Sequence, residues 1–365
     1  MEKSKKYIAI IIPGGIGTGA NNMGIPVLEQ LVKLLSKEYS ITVFSLFKVN
    51  SDYQAKGFKL ISIPSRNPVI KSIQLFIIFR KHHKKNKFTI IHGFWALPSG
   101  LLAVVLGKLF RIKNIVSVLG GDAANLPEIG YGELRHWLSR KLIFWTLENS
   151  DEVTLLTKFL LKNYVQYKLR HEMKIIPWGI DTTLFSFREK PLSNPVQFLH
   201  IANLSPVKDQ STLLKAFKII SDQRPSHLTI IGTGSLTLQV KQLAIQLEQQ
   251  SKVTFVQPVP YAALPAYFHR ADIMLHTSLS EGQSEVVTEA MSAGVIVCGT
   301  KVGLLYDLPE CCVSVSVKDF MGLADQVLKL LNDPNQLFNI RKNAYAWAQA
   351  HSIQWTIEEI KKLYF

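Results

Sequence analysis

The sequence predicts an α/β protein built as two doubly wound, Rossmann-like domains that face each other across a cleft. Length is the first reason: 365 residues, 47% of them hydrophobic, exceed what one ordinary core organises. Rhythm is the second. Short apolar runs alternate with helix-length amphipathic ones, the pattern of β-α-β units around a parallel sheet. The third is a break in that rhythm. The segment "FREKPLSNP", residues 187–195, is polar, holds two prolines and reads as a linker. The expected division is therefore 1–186, 187–350 and a C-terminal helix over 351–365 that packs back on the first domain.

Taken in order, the first domain has expected strands near 7–13, 41–47, 88–94, 114–119 and 152–157. The second has them near 196–202, 227–232, 253–257, 272–277 and 295–299. In such sheets ligands bind beyond the carboxyl ends of the strands. The start, "MEKSKKYIAIIIPGG", has the lysines and apolar run of a leader. The run covers only Tyr7 to Pro13, however, and a glycine loop follows where a cleavage site would be, so a buried strand is expected. The longest apolar run, Phe94 to Gly107, has 14 residues with Pro98 and Ser99 inside it, short of the roughly 20 that span a bilayer.

Three cysteines, Cys298, Cys311 and Cys312, argue against a disulfide framework, and no CxxC pair offers a metal site. A reducing cytoplasm is the expected setting, with the inner face of the membrane as its boundary. The formal charge is +15, and all of it sits in the first half: residues 1–180 carry 26 Lys and Arg against 11 Asp and Glu. That one-sided surface points to an acidic partner.

After the first strand comes "PGGIGTGANN", with glycines at 14, 15, 17 and 19. Such a loop lets a backbone approach phosphate or sugar closely. A dinucleotide site also wants an acid at the end of the second strand, and "ITVFSLF" has none, which disfavours it. A tight turn without a ligand is the plain alternative.

The segment "SLSEGQSEVVTEAMSAG", residues 278–294, holds Glu281, Glu285 and Glu289 at a strand-to-helix turn. Ser284 is placed to cap a helix whose buried side is Val286, Val287, Ala290 and Met291, and Gly294 to end it. Acids in a first turn offset the helix dipole, and for Glu285 that suffices. At Glu281 and Glu289 the turn brings free amides and carboxylates together. Amides suit phosphate, and carboxylates suit hydroxyls. A ligand with both groups is a nucleotide sugar.

At these residues the sequence resembles the retaining GT-B glycosyltransferases of glycosyltransferase family 4. "EGQSEVVTEAM" matches their Glu-x7-Glu motif. "IIPWGIDTTLF", "IANLSPVKDQSTLLKAF", "IIGTGS", "YFHRADIMLHTSLSEG" and "GTKVGLLYDL" resemble further family segments in the family's order, over nearly the whole chain. The resemblance implies that Glu289 holds the ribose hydroxyls of a UDP- or GDP-type donor. It implies that Glu281 contacts the transferred sugar, and that the amides of Gly282, Gln283 and Ser284 meet sugar or phosphate. Lys208 neutralises the diphosphate, and Gly232 makes a turn beside it. The loop from Gly15 through Gly17 to Gly19 closes over it. Asp122, in "SVLGGD", is placed near the acceptor with His92, although a loop carboxylate and a strand-end histidine are more often structural.

Three departures from the family pattern bear on donor identity. Asn203 stands where the family has an arginine, so Lys301 becomes the second candidate cation, against an exposed loop lysine as the plain reading. Leu119 stands at the family's histidine, and Gly303-Leu304 at a glycine pair. The implied activity is retaining transfer of a hexose-type sugar to a saccharide or lipid-linked acceptor, without metal or other cofactor. Alternatives are a nucleotide-sugar 2-epimerase of the same fold, or a non-catalytic sugar-binding module. In the first domain, residues 69–87 carry one apolar stripe at Val69, Ile70, Ile73, Phe76 and Ile77, and a second at Leu75, Ile78 and Phe79. Six Lys and Arg border them. One stripe suffices for a core; the second, flanked by cations, fits an anionic membrane surface. A fully packed helix with a basic end is the alternative. Nucleic acid is disfavoured, because aromatics are not interleaved with the cations.

Overall fold

The computed structural model describes every residue except 1–4, 19–23, 64, 166, 168, 170 and 171. Two compact units emerge. The first comprises Met1–Leu156, Leu160–Pro177 and Thr356–Phe365; the second comprises Thr157–Phe159 and Trp178–Trp355.

In the first unit a seven-stranded sheet is formed by β1 (Tyr7–Ile12), β2 (Ser40–Ser45), β3 (Lys59–Ser62), β4 (Phe88–Phe94), β5 (Lys113–Val118), β6 (Glu152–Leu155) and β7 (Met173–Ile175). Their order is β3-β2-β1-β4-β5-β6-β7, and every pairing is parallel. The edge strands β3 and β7 have no counterpart among the expected strands. Each has only four or three residues and lacks a buried apolar run. The core joins Ile11 and Ile91 of the sheet to Phe44, Phe79 and Phe88. Burying each such side chain contributes about 2 kcal/mol.

Which stripe of the basic segment packs is now settled. The helix Pro68–Lys85 buries Leu75 and Phe79, so the expected second stripe faces the sheet. Val69, Ile70, Ile73 and Ile77 of the other stripe are exposed. Asn67 starts this helix by accepting from the amides of Val69 (2.9 Å) and Ile70 (3.2 Å).

The second unit has six strands: β8 (Val196–Ile201), β9 (Ser226–Ile231), β10 (Val253–Val256), β11 (Ile273–His276), β12 (Ile296–Thr300) and β13 (Cys312–Val315). They run parallel in the order β10-β9-β8-β11-β12-β13. Strand order reverses between β8 and β11, so these two neighbours form the topological switch point of the sheet. Phe217 and Ile220 of the helix Gln210–Gln223 pack under the sheet with Phe198, Leu228 and Ile230.

The boundary lies at Pro177/Trp178, not at 186/187, because residues 178–186 are bound to the second sheet's own elements. The Gln283 carboxamide brackets Trp178, accepting from its amide (2.7 Å) and donating to its carbonyl (2.6 Å). Phe185 is buried against Phe268 and Tyr261. Nor is 187–195 a free linker. The buried Asp272 pairs with Lys190 (2.9 Å) and accepts from Ser193 and Gln197. At the other end the last helix, Ile353–Leu363, enters the first unit from Thr356 onward. There the Tyr364 hydroxyl lies 2.9 Å from Nδ1 of His92. Among the described residues no helix is long and apolar enough to cross a membrane.

Candidate functional site

The loops after β8 and β11 are stitched together before any functional group is considered. The Leu279 amide donates to the Val207 carbonyl (2.7 Å), and the Thr277 hydroxyl donates to the carbonyls of Lys208 (3.1 Å) and Asp209 (3.0 Å). Lys208 closes a short helical turn, Pro206–Lys208. Asp209 then takes a left-handed backbone and caps the helix Gln210–Gln223 through the Thr212 amide (3.2 Å). This framework aims the Lys208 ammonium at Glu281, with Nζ 2.5 Å from Oε1. The same oxygen accepts from the Ser278 hydroxyl at 2.5 Å and lies 3.4 Å from Nε2 of His276. Burial opposes the charge on Glu281, but Lys208 and His276 hold its carboxyl well below the usual carboxylate range. It is a fixed anion beside a fixed cation at the switch point. Sequence reasoning missed His276 and Ser278; their signal was spacing, five and three residues before the glutamate.

Ser284 differs from its expected role. It precedes the helix Glu285–Ala293, yet its side chain makes no cap bond and its backbone sits at φ 75°, ψ 93°. A left-handed serine costs roughly 1–2 kcal/mol, and neighbouring contacts hold it there. Gln283 is locked to Trp178 and Thr288 (3.1 Å), and its carbonyl accepts from the Leu304 amide (3.4 Å). Thus the Gln283 side chain and carbonyl are committed within the protein, leaving its backbone amide as the part that can face a ligand. The Gly282 carbonyl is likewise occupied, by the Thr157 hydroxyl at 2.7 Å. Of the first amides of the Glu285–Ala293 helix, which the helix geometry alone leaves open, that of Val287 donates to the Ser284 carbonyl (3.0 Å). Gly294, at φ 81°, ends it.

Glu289 lies one turn past Glu285 and is 2% exposed, with Oε2 lacking any hydrogen-bond partner. Burial pushes its carboxyl up to about 8; the nearby Tyr261 hydroxyl offsets this a little and Glu285 adds to it. Tyr261 and Glu289 make no hydrogen bond of normal geometry with each other, and the buried Tyr261 hydroxyl also lacks a partner. Glu285 is half-buried, and burial raises its carboxyl too. So the two glutamates of the motif sit in opposite environments, one held ionised and one held neutral.

Glycines set the close approaches. Gly303 is at φ 54°, and a Cβ there would lie 2.9 Å from Cβ of Glu281 and 2.8 Å from the Gln283 carbonyl oxygen. A Cβ on Gly232, at φ 140°, would lie 2.0 Å from the Ala202 carbonyl oxygen. Two expected donor residues are not drawn into the cluster. Asn203 is exposed in the loop after β8, where its carbonyl accepts from the Gln210 side chain at 3.2 Å. Lys301 is exposed, with Nζ 6.0 Å from the centre of the Tyr306 ring.

Within the first unit, Gly15 and Gly17 are explained by packing: added Cβ atoms would strike Ile25 at 2.9 Å and the Tyr53 ring at 2.5 Å. Gly19 lies outside the described residues. Asp122 is buried, and its oxygens accept from the amides of Ala96 (2.8 Å), Gly120 (2.8 Å) and Leu119 (3.3 Å). That carboxylate orders its own loop, which supports the structural reading of it. His92 is structural as well, held between Tyr364 and Ser117 (2.8 Å), and burial lowers it to about 3. Among the described residues no group of three His, Cys, Asp or Glu side chains is placed to hold a metal ion.

Residues 182–347 match the family model described as Glycosyl transferases group 1, and residues 27–184 match Glycosyltransferase Family 4. The chain is 26% identical to N-acetyl-alpha-D-glucosaminyl L-malate synthase of Bacillus anthracis over 281 residues, 72% of this chain and 70% of that one. Sucrose-phosphate synthase from Thermosynechococcus elongatus superposes with a TM-score of 0.82 at 20% identity, covering 99% and 98% of the two chains. Anabaena HepE, solved in complex with UDP-glucose, superposes with a TM-score of 0.77 at 16% identity, covering 98% of each.

Proposed function

The chain belongs to glycosyltransferase family 4, of GT-B fold, and is a glycosyltransferase; from that premise we propose that it moves a hexose-type sugar from a UDP- or GDP-type donor to a saccharide or lipid-linked acceptor, with retention at the anomeric carbon. The observation that carries the reading is the Lys208–Glu281 pair at the switch point, with Glu289, one carboxyl oxygen of which is unpartnered, in the first turns of the helix that follows. A cation and helix-start amides suit a diphosphate. Two carboxyls in fixed positions suit the hydroxyls of a ribose and a hexose.

In this scheme the bond between the anomeric carbon and the diphosphate oxygen breaks, and its electron pair stays on the diphosphate. Lys208 and the amides beginning at Gly282 stabilise that charge. Glu281, kept ionised, holds the sugar hydroxyls and favours positive character at the reacting carbon. The acceptor oxygen bonds to that carbon, and its proton passes to the departing phosphate. Lys208 supplies the positive charge that a metal would otherwise bring, so chelators should leave turnover unchanged. The acceptor is expected at an anionic membrane surface, with the basic helix Pro68–Lys85 as first contact.

The test is Glu281→Ala alongside a screen of UDP- and GDP-sugars by thermal stabilisation. The variant should keep nucleotide affinity and lose turnover by at least about 100-fold. Product from the wild type should show, by NMR, the donor's anomeric configuration. Stabilisation by no nucleotide sugar, or full turnover in Glu281→Ala, would refute the assignment.

A further inference from the structure

The first unit carries a surface that transfer chemistry does not use. The helices Pro68–Lys85, Leu101–Phe110 and Trp137–Asn149 leave the carboxyl ends of β3, β4 and β5. Right-handed connections running the same way across the sheet place all three on one face. They are neighbours there. The Phe110 ring packs on Phe76 at 6.0 Å and on Phe79 at 5.4 Å, and Leu101–Phe110 packs against Trp137–Asn149.

Each helix buries one stripe: Leu75 and Phe79, then Ala103 and Leu106, then Ile143 and Leu147. On a solvated layer the opposite faces would be polar. Here Ile73 is 54% exposed, Ile77 59%, Leu109 60%, Trp137 62% and Trp145 42%. Single exposed apolar residues are ordinary, but three adjacent outward faces that all present them are not. Cations stand among them: Arg80, Lys81 and Lys84 continue the outward face of the first helix, and Lys141 lies 4.9 Å from the centre of the Trp137 ring. Residues 53–121 contain twelve Lys and Arg and no Asp or Glu, so nothing within that tract neutralises its side of the layer.

We propose that these three outward faces form one docking surface for an anionic lipid bilayer. Tryptophans are at home at the headgroup level and branched aliphatics below it, while lysine and arginine reach the lipid phosphates. This extends the contact beyond the basic helix and makes Trp137 and Trp145 its anchors. It rests on the transferase reading only for what docking would serve, delivery of a lipid-linked acceptor. Nucleic acid would use the cations but gain nothing from Ile73, Ile77 and Leu109.

The experiment is co-sedimentation of the full chain with vesicles of phosphatidylcholine, alone or with one third phosphatidylglycerol. Tryptophan quenching by brominated lipid and stabilisation by nucleotide sugars are measured on the same samples. Three proteins are compared: wild type, Arg80→Gln/Lys81→Gln/Lys84→Gln, and Trp137→Ser/Trp145→Ser. All five positions lie on the outer surface of their helices, so the fold is retained; circular dichroism checks this. The charge variant should lose anionic-vesicle binding on the order of 100-fold. The tryptophan variant should lose at least about 10-fold and most of the quenching. Equal binding to neutral and anionic vesicles, no binding, or binding that neither variant weakens overturns the proposal. So does duplex DNA displacing the protein from vesicles while the tryptophan pair has no effect. Failure here with nucleotide-sugar stabilisation intact removes only this surface; vesicle binding without that stabilisation removes only the transferase reading.

Discussion

Glu289 should make the ligand-free protein less stable as pH rises, and Glu289→Gln should remove that effect. Its carboxyl is buried with one oxygen unpartnered, and burial moves it from 4.5 to about 8. A group raised in the folded state is without penalty below pH 4.5. Its cost then accumulates as pH climbs, and levels off once pH passes the folded value near 8. The interval from 4.5 to about 8, at 1.36 kcal/mol per pH unit, sets a ceiling of about 5 kcal/mol. Local rearrangement and water entry reduce this to about 2 kcal/mol in practice. Glutamine keeps the shape and the acceptor oxygen but cannot ionise. The assay is thermal unfolding of both proteins between pH 5 and 9. The variant should match the wild type near pH 5 and exceed it by roughly 4–8 °C at pH 8. Donor binding supplies the complementary signature. Ribose hydroxyls stabilise the ionised carboxylate, so titration at pH 7 in buffers of different ionisation enthalpy should show proton release, absent in the variant. A stability difference independent of pH, or growing towards acid, would refute the reasoning.

Lys208→Ala leaves Glu281 without its principal counter-charge; it should cost about 1–3 kcal/mol near pH 7, and adding Glu281→Gln should recover part of that in a double-mutant cycle read by denaturant unfolding. Because Lys208 keeps Glu281 below its ordinary range, the pair's contribution stands above pH 4.5 and is lost as pH falls further. Gly303→Ala puts a Cβ against Glu281 and Gln283 at a left-handed position, so a loss of about 1–3 kcal/mol with weaker nucleotide-sugar binding is expected by calorimetry. Tyr364→Phe leaves Nδ1 of His92 unpartnered and should destabilise by about 1 kcal/mol. As burial holds His92 near 3, its contribution to stability should decline as pH falls from 6.5 towards 3, measured by unfolding at pH 7 and 5 in the Glu289→Gln background, where the opposing carboxyl is absent.

Strands with continuous buried runs could be read from the sequence, because a parallel sheet covered on both faces demands them; β1, with five fully buried residues, is the clearest case. β3 and β13 escaped because their burial is partial, so no unbroken apolar run marks them. The Glu281 turn was legible because two carboxylates eight residues apart stand beside the free amides of a strand-to-helix junction in a recognisable motif. Its supports were not. Nothing in the sequence links Gln283 to Trp178, 105 residues away, and that link both holds the turn and sets the unit boundary. Ser284 misled for a related reason. A serine before a helix ordinarily caps it, but here the backbone is twisted to φ 75° and the hydroxyl cannot reach the amides. Asp122 illustrates the converse: an acid in a glycine turn looks chemical, yet three backbone amides bond to it and give it a structural task as well.

Glu281 and Glu289 are eight residues apart and chemically alike, yet the fold separates their ionisation. One shares an oxygen among Lys208, Ser278 and His276; the other keeps an oxygen with no partner. Environments that push two carboxyls apart assign them different tasks. A carboxylate already bonded by a lysine gains little from one more hydroxyl, so Glu281 is better suited to fixing geometry and field at the reacting carbon than to supplying affinity. A buried, unpartnered carboxyl gains much from two hydroxyls, because they relieve its desolvation, so Glu289 is the affinity group. The consequence is measurable in kinetics. Changes at Glu289 should raise KM with a smaller effect on kcat, and changes at Glu281 should lower kcat with a smaller effect on KM. If both variants shift the same constant to the same degree, the division of labour argued from their surroundings is wrong, whatever the donor proves to be.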